Sequence, residues 1–396
     1  MYIPKRHKLS FFGLFVLYIL FFGASAFHGI FLPVYLDYLK FNKSTIGIIL
    51  SMSYLITIVS QPLWGIICDR AKFKNHILII LLFSSAIIFI LIPLYSTFWY
   101  LLIAISLFAF FERSIRPISD TIALECIENT KWKFNHVIFA GTIGYAIISI
   151  FAGKIIAGNM NNLFIFYFLF NICALIVSFI IPKVEGHQRK NNKKIFFNIF
   201  HNKELTSLLL FSLLIHMING YLNSFFSIYF KQTGADYTLL GIATCIATLS
   251  ELIFLFLADK ILYKVGIKVT LICSAIITGI RCITLHFLSN MYLILMSQLM
   301  HGFTFVVLII SLSTYINKSV PKEFKAFGQT LNILIGIGIA PMIGTFVGGK
   351  LSDIIGIKQV LLFGFLFVAL TVIIFIPLLF FNNLKNLQRI FSGDLK

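Results

Sequence analysis

Apolar runs long enough to cross a hydrocarbon layer as helices recur along almost the whole chain, separated by short polar stretches. They fall near 9–36, 44–67, 76–96, 98–124, 134–157, 162–182, 204–230, 237–260, 267–288, 291–316, 324–349 and 357–381. In lipid only an element that satisfies its own backbone can span, so the pattern predicts an all-α membrane protein of twelve transmembrane helices. The longest polar stretch, Lys183 to Lys203, holds Gly186, Gln188, Arg189, Lys190, Asn191 and Asn192 and divides the runs six and six. An N-terminal six-helix bundle over 1–182, a cytoplasmic linker over 183–203 and a C-terminal six-helix bundle over 204–396 are expected.

A weak repeat supports two related halves. Tyr35 and Gly47, twelve apart, recur as Tyr229 and Gly241, and Asp69-Arg70 at the end of span two recurs as Asp259-Lys260 closing span eight. Two such halves with a solute bound between them near the midplane is the arrangement of alternating-access transporters.

Composition agrees: 59% of residues are hydrophobic and 12% charged, with a mean hydropathy of +0.97, too little polar surface for a water-soluble fold of this length. The net charge of +18 would suit nucleic acid only if it gathered on a polar domain, and it lies in loops instead. The N-terminus, the even-numbered loops and the C-terminal tail carry 23 Lys and Arg against 6 in the odd-numbered loops. By the positive-inside rule both termini are expected in the cytoplasm, in a multi-pass protein of the cell membrane. Lys5, Arg6 and Lys8 before an apolar run, followed by Ala24-Ser25-Ala26, imitate a signal peptide, but the run continues to Tyr35 and a retained first span is expected.

Three basic residues, Arg113, Arg116 and Arg281, lie inside predicted spans, where an ionisable group costs several kcal/mol unless paired or wet. In span four, Glu112, Arg116 and Asp120 are spaced four and four and predict one polar face, with Arg113 alongside; a self-neutralising ion-pair ladder is the structural alternative. Beside helix-disrupting Pro117, Asp120 is expected to accept hydrogen bonds from solute hydroxyls or to hold a proton. In the second half Glu251, Arg281 and His301 offer an acid, a fixed cation and an imidazole for proton coupling. Asn219, Tyr221 and Asn223 in span seven and Gln329 and Asn332 in span eleven supply neutral hydrogen-bonding groups; of these Asn223 is a candidate solute contact, and interhelical contact is the alternative. His28 and His216 receive no role.

The loop after span two, Gly65-Ile-Ile-Cys-Asp69-Arg70-Ala-Lys72-Phe-Lys74, resembles the G-x-x-x-D-R-x-G-R-K signature of the major facilitator superfamily, with Ala71-Lys72 where a glycine is usual. The chain as a whole is similar to the branch of lactose permease and the phenylpropionate-permease-like proteins. Phe31-Leu-Pro33-Val-Tyr35, Ser250-Glu251, Gly279-Ile-Arg281, His301-Gly302-Phe-Thr304-Phe305 and Gly336-x-Gly338 followed by Gly348-Gly349-Lys-Leu-Ser-Asp353 carry the likeness. The resemblance implies the major facilitator fold, a cytoplasmic gate at Asp69, Arg70, Lys72 and Lys74, and convergence of Glu251, Arg281 and His301 on a central cavity. It places Asp120 on the branch's sugar-binding acid and Tyr145 on its sugar-stacking aromatic. Two positions depart from lactose permease. Ile138 stands where lactose permease has its sugar-binding arginine, so Arg116 is a candidate replacement, and Thr304 stands where lactose permease has an acid after the histidine, a passage that instead resembles the phenylpropionate-permease-like proteins.

The expected function is secondary transport of a small polar solute, sugar first, nucleoside or aromatic acid next, by proton symport. Proton-coupled efflux of hydrophobic compounds is the alternative, and a membrane-embedded transferase a remote one. No catalytic residue, cofactor or metal is expected: there is no P-loop, and Cys68, Cys126, Cys173, Cys245, Cys273 and Cys282 lack metal-ligand spacing. The expected partners are the solute, protons and membrane lipids, with no nucleic acid, and the expected state is a monomer.

Overall fold

The computed structural model describes residues 5–128, 132–186 and 203–391. Most of the expected linker, 187–202, lies outside the described residues. The others form twelve helical spans: α1 (Lys5–Tyr38), α2 (Lys43–Arg70), α3 (Lys74–Leu91), α4 (Phe98–Ile127), α5 (Phe134–Gly158), α6 (Asn162–Ser178), α7 (Lys203–Gln232), α8 (Tyr237–Val265), α9 (Ile267–Phe287), α10 (Met291–Ser319), α11 (Lys322–Ile355) and α12 (Ile357–Phe391). Eleven are long and apolar enough to cross a membrane; α6, at 17 residues, is the short one.

Several spans end elsewhere than their apolar runs predict, and spans six and eight show the causes. Span six stops at Ser178, and the chain turns so that the Pro182 carbonyl accepts Asn75 Nδ2 while Val184 N–H donates to Asn75 Oδ1. Asn75 thus supplies backbone partners that a continued helix would have supplied itself. Span eight continues past Asp259-Lys260 to Val265, and stops where Gly266 adopts φ 85, a left-handed conformation open to glycine without strain.

The spans form two six-helix bundles, α1–α6 and α7–α12, which meet mainly through α2 on α11, α5 on α8 and α1 on α7. Small residues make the seams. A methyl group on Gly47 of α2 would sit 3.1 Å from Gly349 Cα and 2.9 Å from the Thr345 carbonyl of α11. On the opposite side Gly241 of α8 rests on the Ser149 carbonyl of α5, and Ser149 Oγ donates to Gly241 O at 3.1 Å. The recurring glycine is therefore the seat of each bundle on its neighbour, packing without the hydrophobic drive that lipid removes. These contacts lie toward the end holding Tyr38, Lys43 and Asp353, hereafter the distal end; Asp69, Arg70 and Lys183 mark the linker end. At the distal end Asp353 of α11 accepts the backbone N–H groups of Lys43 and Ser44, both at 2.7 Å, capping α2 from the other bundle, and Lys43 Nζ pairs with Asp37.

Candidate functional site

The second-bundle site begins with a change of helix type. In α10 the residues Gln298–Phe303 form a 3-10 segment between Met291–Ser297 and Phe305–Ser319. A 3-10 helix eclipses i and i+3, so Gln298 and His301 point the same way and both accept from Arg281 of α9. The Arg281 guanidinium donates to Gln298 Oε1 at 3.0 Å and to His301 Nδ1 at 2.9 Å. Thr304, where lactose permease has an acid, is buried and donates its hydroxyl to the His301 carbonyl at 2.7 Å, closing the segment.

Glu251 reaches the same histidine from α8. Gly302 permits it, since a side chain there would collide with the Ser250 and Glu251 backbone, and Gly302 N–H donates to Ser250 Oγ at 2.8 Å. His301 Nε2 then lies 3.1 Å from Glu251 Oε1. Because Nδ1 accepts from a fixed cation, the ring proton sits on Nε2 and is donated to the carboxylate. The three predicted residues thus form one chain, Glu251, His301, Arg281, ending on Gln298, which the sequence reading missed; its spacing of three before His301 was the available signal. Arg281 is 1% exposed. A cation so deep is tolerable only with such partners.

In the first bundle Pro117 interrupts α4 and cannot donate to the Arg113 carbonyl, which instead accepts Gln61 Nε2 of α2 at 3.0 Å. Glu112, Arg116 and Asp120 all meet α1, at His28, Phe22 and Tyr18 in turn. Asp120 accepts the Tyr18 hydroxyl of α1 at 2.6 Å and lies 3.9 Å from Arg116 Nε. Glu112, two turns earlier, meets His28 of the same helix α1 at 3.5 Å, with Arg113 Nε at 3.4 Å. The Arg116 side chain is 58% exposed and lies 5.2 Å over the Phe22 ring. Ile138 packs partly buried in the apolar core of α1, α3 and α4. Tyr18, partner of Asp120, was not anticipated.

Tyr145 of α5 links the two sets. Gly141 and Gly144 receive Phe22 and Ile19 of α1, and the Tyr145 hydroxyl lies over Gly29, where a methyl group would come within 3.3 Å. Its helix α5 packs on α8, the helix that carries Glu251, across the bundle interface. Asn223 is exposed on α7. Among the secondary candidates, Gln329 bonds Ser313 and Asn317 and Asn332 bonds the Ile309 carbonyl, so both join α11 to α10. Tyr221 bonds Ser352 of α11 at 2.8 Å.

The expected gate residues gather at the linker end of the first bundle. Lys74 is buried and pairs with Glu125 of α4, its N–H donates to Val184 O at 2.8 Å, and Lys72 lies 5.7 Å from the Phe73 ring. Asp69 and Arg70 complete the end of α2. Every contact of Lys72 and Lys74 named here is made within the first bundle. Lys40 is the one non-glycine with positive φ among the described residues, so neither Ala71 nor Lys72 needs the glycine usual in the signature.

Comparison with known proteins agrees with this architecture. The MFS_1 like family matches residues 11–363. The chain is 24% identical over 332 residues to the uncharacterized transporter YwbF of Bacillus subtilis, covering 83% of each chain, and 22% identical over 337 residues to the maltose permease of Geobacillus stearothermophilus, covering 84% of this chain and 85% of that one. Among solved structures, a mutant of the nucleoside transporter NupG superposes with a TM-score of 0.84 at 19% identity, over 93% of this chain and 99% of that one.

Proposed function

The chain belongs to the MFS_1-like family of multi-pass membrane transporters, and from that premise we propose that it takes up a sugar or nucleoside together with a proton by alternating access. The observation that carries the reading is the chain Glu251, His301, Arg281, whose acid stands on α8, the helix that packs on α5 of the other bundle. A proton reaching His301 must occupy Nδ1, the atom that now accepts from Arg281, so protonation and the Arg281 contact exclude one another. Release of the guanidinium into the interface is the step by which proton binding changes the cleft.

Asp120, Arg116, Tyr145, Glu251 and Asn223 are the proposed solute contacts. An acid, a guanidinium and a phenol suit hydroxyl-rich solutes, and the maltose permease and nucleoside transporter similarities support those two classes first. Arg116 supplies the cation that Ile138 lacks. With the linker end in the cytoplasm, the sealed distal seam makes this conformation inward-facing, and residues 183–203 tether two rocking bundles, 1–182 and 204–396. Asp69, Arg70, Lys72 and Lys74 are the proposed cytoplasmic gate.

The test is external pH in a lightly buffered suspension of de-energised cells expressing the protein, after adding an oligosaccharide, then a nucleoside. Alkalinisation by one of them, lost in E251Q, is expected. No pH change with either, with the protein present in the membrane, would overturn symport and favour efflux of hydrophobic compounds.

A further inference from the structure

The first bundle holds a titratable pair that the proposed transport site does not use. His28 and Glu112 are 7% and 6% exposed, deep between α1 and α4. The imidazole is boxed by Phe108, Tyr167 and Phe89, with ring centroids at 5.2, 5.6 and 6.1 Å. Its Nε2 faces Glu112 Oε1 at 3.5 Å, while Nδ1 faces the Ser25 carbonyl without completing a hydrogen bond. Glu112 Oε2 is buried and accepts no hydrogen bond, although Arg113 Nε lies 3.4 Å away. Beyond it the hydroxyl of Tyr167 and Oδ1 of Asn171, both on α6, are also without partners, and Asn171 Nδ2 reaches Ser85 Oγ of α3 at 3.3 Å.

Such a carboxylate has two ways to be neutralised. On its wetter side stands Arg113, whose side chain is 36% exposed and whose guanidinium also lies 5.8 Å from the Tyr54 ring of α2, an alternative resting place for the cation. On its sealed side stands His28, which can share a proton with it. Tyr167 from α6 and Tyr54 from α2 are the other titratable side chains in contact, and α3 contributes Ser85 and Phe89.

We propose that His28 and Glu112 form a second proton-binding site, in the first bundle, where an incoming proton and the Arg113 guanidinium compete for one carboxylate. With the proton absent Arg113 closes on Glu112. With it present the pair is satisfied internally and Arg113 turns to Tyr54, on the helix that carries the Gly47 seam.

The site needs no solute, so its test stands apart from transport. Full-length protein in lipid nanodiscs is titrated with pH and followed by the infrared carbonyl stretch of protonated carboxyls, in an E251Q background that removes the second-bundle acid. A pH-dependent band is expected in E251Q and its loss in part or whole in E112Q/E251Q. R113Q/E251Q, altered at a side chain that is 36% exposed, is expected to move the midpoint of that band to higher pH by about one unit or more. A band unchanged by E112Q would overturn the site, and a midpoint unmoved by R113Q would overturn the competition.

Discussion

His28 meets Glu112 at 3.5 Å in the first bundle and His301 meets Glu251 at 3.1 Å in the second, yet only the second pair is chained to a buried cation. Its side chains are 15% and 26% exposed against 8% and 7% for the first, and its acid stands on a helix that packs on the other bundle. The difference lies in the local helix type. In α10 the 3-10 segment turns two acceptors toward one guanidinium, and Gly302 lets α8 close on it. In α4 the arginine beside the acid is its chain neighbour, held at the bundle surface, and it reaches Glu112 at 3.4 Å without forming a hydrogen bond. One arrangement is a wired relay at an interface; the other is a sealed pair with a movable counter-charge.

The largest effect that separates them is on stability. R281A removes the shared donor of His301 and Gln298 and leaves their polar atoms buried, which is expected to cost about 3–5 kcal/mol, seen as a lower thermal midpoint of the purified protein by tryptophan fluorescence. R113A, half-exposed, is expected to cost about 1 kcal/mol or less in the same assay. Equal losses in the two variants would break the comparison.

Next comes the division of labour in the cleft. D120N and R116A are expected to weaken solute binding about tenfold, one lost charge-assisted contact each, in a counterflow assay that needs no net proton movement. E251Q is expected to keep counterflow at an affinity lowered by its own lost solute contact, while losing proton movement altogether. If R116A leaves both affinity and transport unchanged, Arg116 has not replaced the arginine that Ile138 displaced.

The smallest effect concerns the distal seam. D353A removes the carboxylate that caps α2 from α11, worth about 1 kcal/mol, and is expected to shift the conformational equilibrium about fivefold toward opening at that end. Spin-label distances between the distal ends of α2 and α11 would report it. An unchanged distance distribution would show that the Gly47 and Gly349 contact holds the seam alone.

How much of this was legible follows from what a lipid-facing sequence records. The runs of apolar residues determined twelve helices and their connections, because length against hydrocarbon thickness is a one-dimensional property. The charges at depth marked Glu251, Arg281, His301, Arg116 and Asp120 as residues needing partners, because burial of a charge is costly wherever it occurs. The family was legible too, in the residues from Gly65 to Lys74 and in the passages around Arg281 and His301. Helix faces were not. A helix apolar all round gives no period from which to read which side meets lipid and which meets a neighbour. Only tertiary packing decided that Glu112 meets His28, that Tyr18 and Gln298 join the polar groups, and that Asp353 reaches across to cap α2. Those choices depend on the rotation and depth of each helix, which glycine contacts, Pro117 and the 3-10 turn of α10 set between elements distant in the chain.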